Sequence, residues 1–465
     1  MTHIDGMLTL DELTSLVAER AITQVLAVFP DFYGRVIGKR ITGDYFIDHV
    51  ADGGMHACDY LLTVDMDMMP VPGYKLSSWE TGYGDFHAVP DWSTLRRASW
   101  LEDTAIVICD LLDEESGELI PVAPRTILRR QVDAVNAAGY DAYTASELEF
   151  YLFNDTYEVA REKRYTGIAR AAWYIEDYHI FQGTKEDDVI GAMRKHLQAS
   201  GIPVEFSKGE WGPGQQEINI RYAQALEMAD RHTLYKHLAK EVAWAAEKSV
   251  TFMAKWDADE AGSSCHIHMS LRDIAQSTSA FVGADAEPLA GSKVECTPTF
   301  RHFVGGLLAH ANDITLCLAT TVNSYKRFQA DTFAPTAIAW SYDNRTSGFR
   351  LVGRGEALRV ECRIPGADAN PYLAYAALLA AGMDGVRNGT EPPPLFHGNA
   401  YTDGELPTIP GSLVQATDAA DDSAFLREAF GEVVVDHLVH FARAEQSAYD
   451  AAVTDWERIR YFERI

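Results

Sequence analysis

The sequence predicts an α+β chain in two units: a small mixed one, then a large one whose curved antiparallel sheet is backed by helices. Three observations lead there. Several apolar segments carry ionisable residues at every second position, the period of a strand with two unlike faces. These strands are joined by long irregular connections, without the regular strand and helix alternation of a parallel sheet. An acidic, glycine-containing loop, DEESGELIPVAPR, separates them from what precedes and divides the chain into residues 1–115 and 116–465.

Taken in order, residues 8–20 have the spacing of a short amphipathic helix. Residues 22–29 and 36–41 read as a hairpin turning at 30–34, and 44–50 as helical. After Gly53 and Gly54 comes CDYLLTVDMDM, then a turn-rich stretch, with strand character returning at TAIVICDLL. This first unit of roughly 110 residues is within the usual size of a domain. Beyond the boundary a helix over 126–138 is ended by Gly139. Further helices are expected over 187–199, 223–247, 300–318 and 370–386, the last with Asn370 as cap and Pro371 in its first position. Residues 389–423, rich in Pro, Gly, Asp and Thr, read as surface loop, and 425–452 as a final helix.

The strands of the large unit carry the chemistry. In LRVECRIPGADANPYL, Arg359, Glu361 and Arg363 share one face while Val360, Cys362 and Ile364 turn to a core. In ASELEFYLF, Glu147 and Glu149 lie opposite Leu148, Phe150 and Leu152; in GEWGPGQQEINIRY, Glu217, Asn219 and Arg221 lie opposite Ile218, Ile220 and Tyr222. His266, His268 and Ser270 share a face of GSSCHIHMSL, and DNRTSGFRLVG presents Arg345 and Arg350. One such strand is the ordinary solvated side of a half-buried sheet. Five of them, bearing carboxylates, imidazoles and arginines, describe one cavity.

Composition limits what that cavity serves. The 68 acidic against 40 basic residues, a formal charge of -28, oppose binding to nucleic acid or an anionic membrane. The longest smooth apolar run, residues 371–383, is too short to cross a bilayer. Six cysteines are scattered without a C-x-x-C pair, and MTHIDGMLTLDELT has no basic segment followed by an apolar one, so a reducing, cytoplasmic setting without export is expected.

Glu147, Glu149, Glu210, Glu217 and Glu361 with His266 make a mostly hard-oxygen donor set, suited to Mg²⁺ or Mn²⁺ more than to Zn²⁺ and large enough for two cations. Taken alone, Glu210 and Glu217 would be a charged turn around Gly212, Pro213 and Gly214, and His266 with His268 an ordinary core pair. Arg327, Arg345, Arg350, Arg359 and Arg363 suit the fork-shaped recognition of phosphate and carboxylate. The chain holds no G-x-x-x-x-G-K-[ST] and no G-x-G-x-x-G after a strand, so arginines and metals, not a glycine cradle, would hold a nucleotide's phosphates.

GPGQQEIN, GSSCHIHMSL, NSYKRF, NRTSGFR and RVECRIPGADANPYL, in that order, resemble the signature segments of the glutamine synthetase superfamily, and GRVIGKRI is similar to part of its N-terminal β-grasp domain. The resemblance implies one metal held by Glu149, Glu210 and Glu217 and a second by Glu147, His266 and Glu361. It implies that Arg327, Arg363 and the backbone at Gly262 hold glutamate. Arg345 would meet the transferring phosphoryl group, and Arg350, Arg359, His268 and Ser270 would contact ATP. The implied reaction is attack of the glutamate γ-carboxylate on the γ-phosphoryl of ATP, then displacement of phosphate by an amine, with Glu210 as the base that deprotonates it. The family's stacked hexameric rings imply a homo-oligomer, a dodecamer.

Two departures bear on the amine. The family's flap, N-S-Y-K-R-L-x-P-G-Y-E-A-P, reads NSYKRFQADTFAP here, placing Phe333 where a Glu closes over ammonium; the family's F-D-G-S-S motif has no counterpart in MHACDYLLTVD. An aromatic ring in place of a carboxylate weakens the hold on ammonium and offers contact to a carbon-bearing amine. The resemblance is therefore strongest to bacterial γ-glutamyl-amine ligases, with ethanolamine favoured over putrescine or spermidine as acceptor. True glutamine synthetase, a metallohydrolase built on His266 and His268, and a non-enzymatic structural or regulatory homologue are the alternatives. The last would show erosion of the metal carboxylates, and all five are present. Tyr401 lies near a tyrosine that some relatives modify and reads as an exposed loop residue.

Overall fold

In the computed structural model, which describes residues 4–465, eighteen strands run in chain order. The first six are β1 (Gln24–Pro30), β2 (Val36–Thr42), β3 (Met55–Cys58), β4 (Asp85–Pro90), β5 (Arg96–Arg97) and β6 (Thr104–Asp113). They form one sheet in the order β2-β1-β6-β4-β3, with β5 also on β6. The expected hairpin is β1 with β2, from Gln24 opposite Thr42 to Pro30 opposite Val36. β1 then pairs in parallel with β6, the arrangement expected of a β-grasp-like unit. A strand between two others with both faces covered reads as continuous apolar sequence, which is why Val25 to Phe29 and Ala105 to Cys109 show no alternation and are all buried.

The large sheet is built from β7 (Tyr140–Phe153), β8 (Val204–Gly209), β9 (Gln215–Ile220), β10 (Ala223–Gln224), β11 (Ser249–Thr251), β12 (Cys265–Asp273) and β13 (Thr278–Ser279). β14 (Glu287–Pro288) and β15 (Glu295–Cys296) make a separate pair, and β16 (Trp340–Tyr342), β17 (Phe349–Val352) and β18 (Arg359–Cys362) complete the large sheet. Its order is β16-β17-β18-β12-β7-β9-β8, with β10 and β11 on β7 and β13 on β12. It is antiparallel as expected, except that β16 and β17 run parallel. β16 is a three-residue edge strand, and the chain returns from it through a turn at Asp343, whose φ of 49° is left-handed, instead of through a hairpin.

Helices back this sheet. Ala225–Ala245 packs on β7, and Pro371–Asn388, capped by Asn370 and buried for most of its length, packs on Pro124–Ala137 and Pro298–Ala309. Arg125, near the start of Pro124–Ala137, joins the two sheets' surroundings. It donates to Asp91 at 2.8 Å, to Asp230 of Ala225–Ala245 at 3.0 and 2.8 Å, and to Asp110 of β6.

Three expectations are corrected. Residues 300–318 form two helices, Pro298–Ala309 and Ala311–Leu318, broken where His310 is clamped between Asp313 and Asp384, 3.0 and 2.9 Å away, and stacked 3.7 Å from Phe425. The final helix is interrupted at Gly431, whose φ of 86° is a conformation that glycine adopts without a Cβ clash, leaving Ala424–Phe430 and Glu432–Ala451. The loop 389–423 contains the helix Leu413–Asp421, capped by Ser412, with Leu413, Ala416, Thr417 and Ala420 buried at helical spacing. No helix among the described residues is long and apolar enough to cross a membrane.

Candidate active site

Residues opposite one another in a sheet share a face, so the register of six strands assembles the site. Glu149 of β7 faces Glu217 of β9, which faces Lys208 of β8. The next row sets Asn219 of β9, Glu147 of β7 and His266 of β12 side by side. A third places Glu361 of β18 between His268 of β12 and Arg350 of β17. Side chains from strands far apart in sequence therefore project from one surface. Arg221, expected on the same face of β9, falls beyond its end and is exposed.

Two clusters result. The ligand atoms of Glu149, Glu210 and Glu217 lie within 4.8 Å of one another, as do those of Glu147, His268 and Glu361. His266 flanks the second group, its Nδ1 3.2 Å from Glu147 and 3.6 Å from Glu361.

Their electrostatics differ. In the first cluster burial, and then the charge of Glu210, push the Glu149 carboxyl up to about 7 and the Glu217 carboxyl well above its ordinary range. Backbone and hydroxyl donors at Ser264, 2.8 and 2.5 Å away, and Gln215 at 3.0 Å only partly offset this for Glu149. Asn219 donates to Glu217 at 2.6 Å. In the second cluster burial also opposes ionisation, but hydrogen bonds to His266 and His268 hold Glu147 below its usual range. Glu361, with no exposed surface, is likewise held down by His266 and Arg363, and accepts from Arg350 Nη1 at 2.9 Å and Arg363 Nη1 at 2.6 Å. Burial and the Arg363 charge lower His266 to about 4. Arg359 Nε donates to His268 Nδ1 at 3.1 Å, so the imidazole accepts there and offers its Nε2–H to Glu147, 2.8 Å away.

Buried Arg327, lowered to about 10 by desolvation, donates to the Ile364 and Arg363 carbonyls at 2.8 and 2.9 Å. Its stem passes so near Gly262 that a Cβ there would lie 2.8 Å from Arg327 Cγ. Arg327 is thus held beside Gly262, while the Arg363 guanidinium is turned to Glu361 and the Phe333 carbonyl. His268, Ser270 and Arg359 line, with Glu147, a cleft of about 520 Å³. Arg345 stands apart: β17 begins only at Phe349, so Arg345 sits in an exposed turn near Asp343. Phe333, 54% exposed, has a left-handed φ of 58°; its carbonyl accepts from Arg363 at 3.3 Å, and its ring lies 6.5 Å from that of Trp211, the residue after Glu210. A bulky side chain in that backbone region is unusual and collects at functional sites. Tyr401 is not freely exposed as expected; it is half-buried and donates to the Ala334 carbonyl at 2.9 Å.

Several neighbours escaped the sequence reading. Gln215 could have been found, because it lies two residues before Glu217 on the same alternating face. Ser264, Lys208 and Trp211 carry no pattern of their own and come into place only through strand pairing and loop folding.

The fold and donor set define a class, and comparison with known proteins agrees with it. The family described as glutamine synthetase, catalytic domain, matches residues 121–461. The chain belongs to the glutamine synthetase family and is an ATP-dependent ligase that forms carbon–nitrogen bonds. Within it, the chain is 44% identical over 458 residues to a gamma-glutamylethanolamide synthetase of Streptomyces coelicolor, covering 98% of this chain and 96% of that one. It is 35% identical to a glutamate–isopropylamine ligase of a Pseudomonas species, covering 92% of each. A solved structure described as apo GmaS without ligand superimposes with a TM-score of 0.83 at 28% identity, covering 98% of this chain and all of the other.

Proposed function

We propose that this protein joins the γ-carboxylate of glutamate to a primary amine other than ammonia through γ-glutamyl phosphate, with ethanolamine the favoured acceptor. The observation that carries this is Phe333, an aromatic residue in a strained backbone, set with Trp211 beside Glu210 where the family pattern has a carboxylate. The two relatives named for larger amines support it.

The donor chemistry of the clusters fits hard divalent cations, Mg²⁺ or Mn²⁺, two or more per site: one with Glu149, Glu210 and Glu217, one with Glu147, Glu361 and an imidazole of the H-x-H pair. We assign that imidazole to His266, with His268 kept for the nucleotide as its bond to Arg359 favours. When bound, such ions neutralise the phosphates during transfer. In this reading Arg327 and Arg363, with the Gly262 backbone, hold the glutamate carboxylate, and Arg350, Arg359, His268 and Ser270 hold ATP. Arg345, in its exposed turn, meets the transferring phosphoryl group. Glu210 takes one proton from the alkylammonium; the free amine attacks the acyl carbon, and phosphate leaves with the bonding pair. Residues 1–115 form the β-grasp-like unit of this enzyme, residues 116–465 its catalytic domain, and the assembly is a ring-stacked dodecamer.

The test is phosphate release with glutamate, ATP and Mg²⁺ across ammonium, ethanolamine, isopropylamine, putrescine and spermidine. Ethanolamine is expected to give the highest kcat/KM; efficient turnover at millimolar ammonium would defeat the reading of Phe333, and a preference for putrescine or spermidine would move the acceptor to a diamine.

A further inference from the structure

Glu210 already has a partner that the reaction does not account for. Lys208, two residues before it and opposite Glu217 in the β8–β9 register, pairs through Nζ with the Glu210 carboxylate. The same ammonium lies 4.5 Å from the centroid of the Tyr178 ring. The Tyr178 segment is fastened to the Glu210 loop by backbone bonds, Asp177 N–H to the Glu210 carbonyl at 3.0 Å and Tyr178 N–H to the Gly209 carbonyl at 3.3 Å. Tyr178, like Phe333, is an aromatic residue in the left-handed region, with φ of 64°, and is exposed. A lysine side chain is itself a primary alkylammonium on a four-carbon stem. The structure therefore shows an alkylammonium seated between a carboxylate and an aromatic face.

Resting on the ligase reading above, we propose that Lys208 sets the affinity of the acceptor site by holding the place of the acceptor's ammonium, so that an acceptor is admitted only by displacing it. A tethered competitor acts at an effective concentration in the millimolar range or above, about that of a short flexible linker. Ammonium brings nothing beyond its charge to that exchange, whereas an alkylammonium also brings its carbon frame to the Tyr178 ring, about 0.8 kcal/mol per buried methylene. Lys208 thus raises the concentration that either amine needs by one common factor, and the more weakly held ammonium is the one that this factor takes out of the working range.

The experiment compares wild type, Lys208→Met and Lys208→Arg by steady-state phosphate release with ethanolamine and with ammonium, glutamate, ATP and Mg²⁺ saturating. Lys208→Met is expected to lower KM for both amines by a common factor of about ten, roughly 1.4 kcal/mol, because a competitor that either amine must displace scales both affinities alike. Lys208→Arg, which keeps a cation, should hold both KM values within about twofold of wild type. A merely structural lysine would alter kcat or stability and leave both KM values alone, and that result overturns the proposal, as do KM values that rise. If Lys208→Met fails to fold, Tyr178→Leu, which removes the aromatic seat shared by the lysine and the acceptor, must change KM for ethanolamine without moving KM for ATP or glutamate; unmoved ethanolamine KM overturns the proposal. Turnover with unchanged amine KM values sinks this inference only, whereas no turnover with any amine sinks the ligase reading and this inference together.

Discussion

Glu147 and Glu149 are neighbours on one face of β7, yet they sit in opposite electrostatic settings. Glu149 joins two more carboxylates and is pushed up to about 7, while Glu147 is embraced by two imidazoles and held ionised. The residue type is the same and the strand is the same; the partners brought by β9 on one side and β12 on the other make the difference. The first cluster gathers three carboxylates around the ammonium of Lys208, paired with Glu210, an excess of negative charge that an added cation would relieve. The second is balanced within the fold, since Glu361 is already shared by Arg350 and Arg363.

The sharpest way to break this contrast is to remove the balance. Glu361→Gln strands two guanidiniums in a buried setting and is expected to cost about 3–5 kcal/mol, read from denaturant unfolding. A loss below about 1 kcal/mol would show that the second cluster is not internally compensated.

Next comes the response to cations and pH. Because Glu149 and Glu217 have raised pKa values in the folded state, the stability they allow is fully present below about pH 4.5 and is lost as pH rises through about 7 for Glu149. The metal-free Tm should therefore fall between about pH 5 and pH 8. Glu147 and Glu361, depressed, contribute the opposite slope only in more acidic solution. Mg²⁺ at about a hundred times its Kd should restore about 2.7 kcal/mol at pH 8 and release protons near pH 7, seen by calorimetry in buffers of different ionisation enthalpy. Chelation should reverse both, and a flat pH profile would erase the distinction between the clusters.

Glu217→Gln should raise the metal-free stability by about 1–2 kcal/mol, since it removes a repelled buried carboxylate, while it abolishes the Mg²⁺-induced rise in Tm. Last, Phe333→Glu should improve kcat/KM for ammonium about tenfold, roughly 1.4 kcal/mol, and depress it for ethanolamine, measured by phosphate release.

Much of the site was legible because alternation is a direct consequence of strand geometry. Glu147, Glu149, Glu217, His266, His268 and Glu361 each sat on a polar face that could be read without coordinates. Which polar face met which was not legible, since register depends on pairings between segments roughly a hundred residues apart, such as Glu361 with His268 and Glu147 with His266. Local chemistry misled in places. Arg345 shares the apparent period of the strand that carries Arg350, but the turn before Phe349 takes it out of the sheet. Composition hid the helix Leu413–Asp421 beneath Asp and Thr, although its buried positions keep helical spacing.

Arg125 has a mechanical consequence. Its guanidinium is buried among Asp91 and Asp110 of the smaller unit and Asp230 of the helix that supports β7. Separating Asp91 and Asp110 from Arg125 and Asp230 would leave a buried cation and three acids bare, so these ion pairs oppose any hinge at residues 113–125.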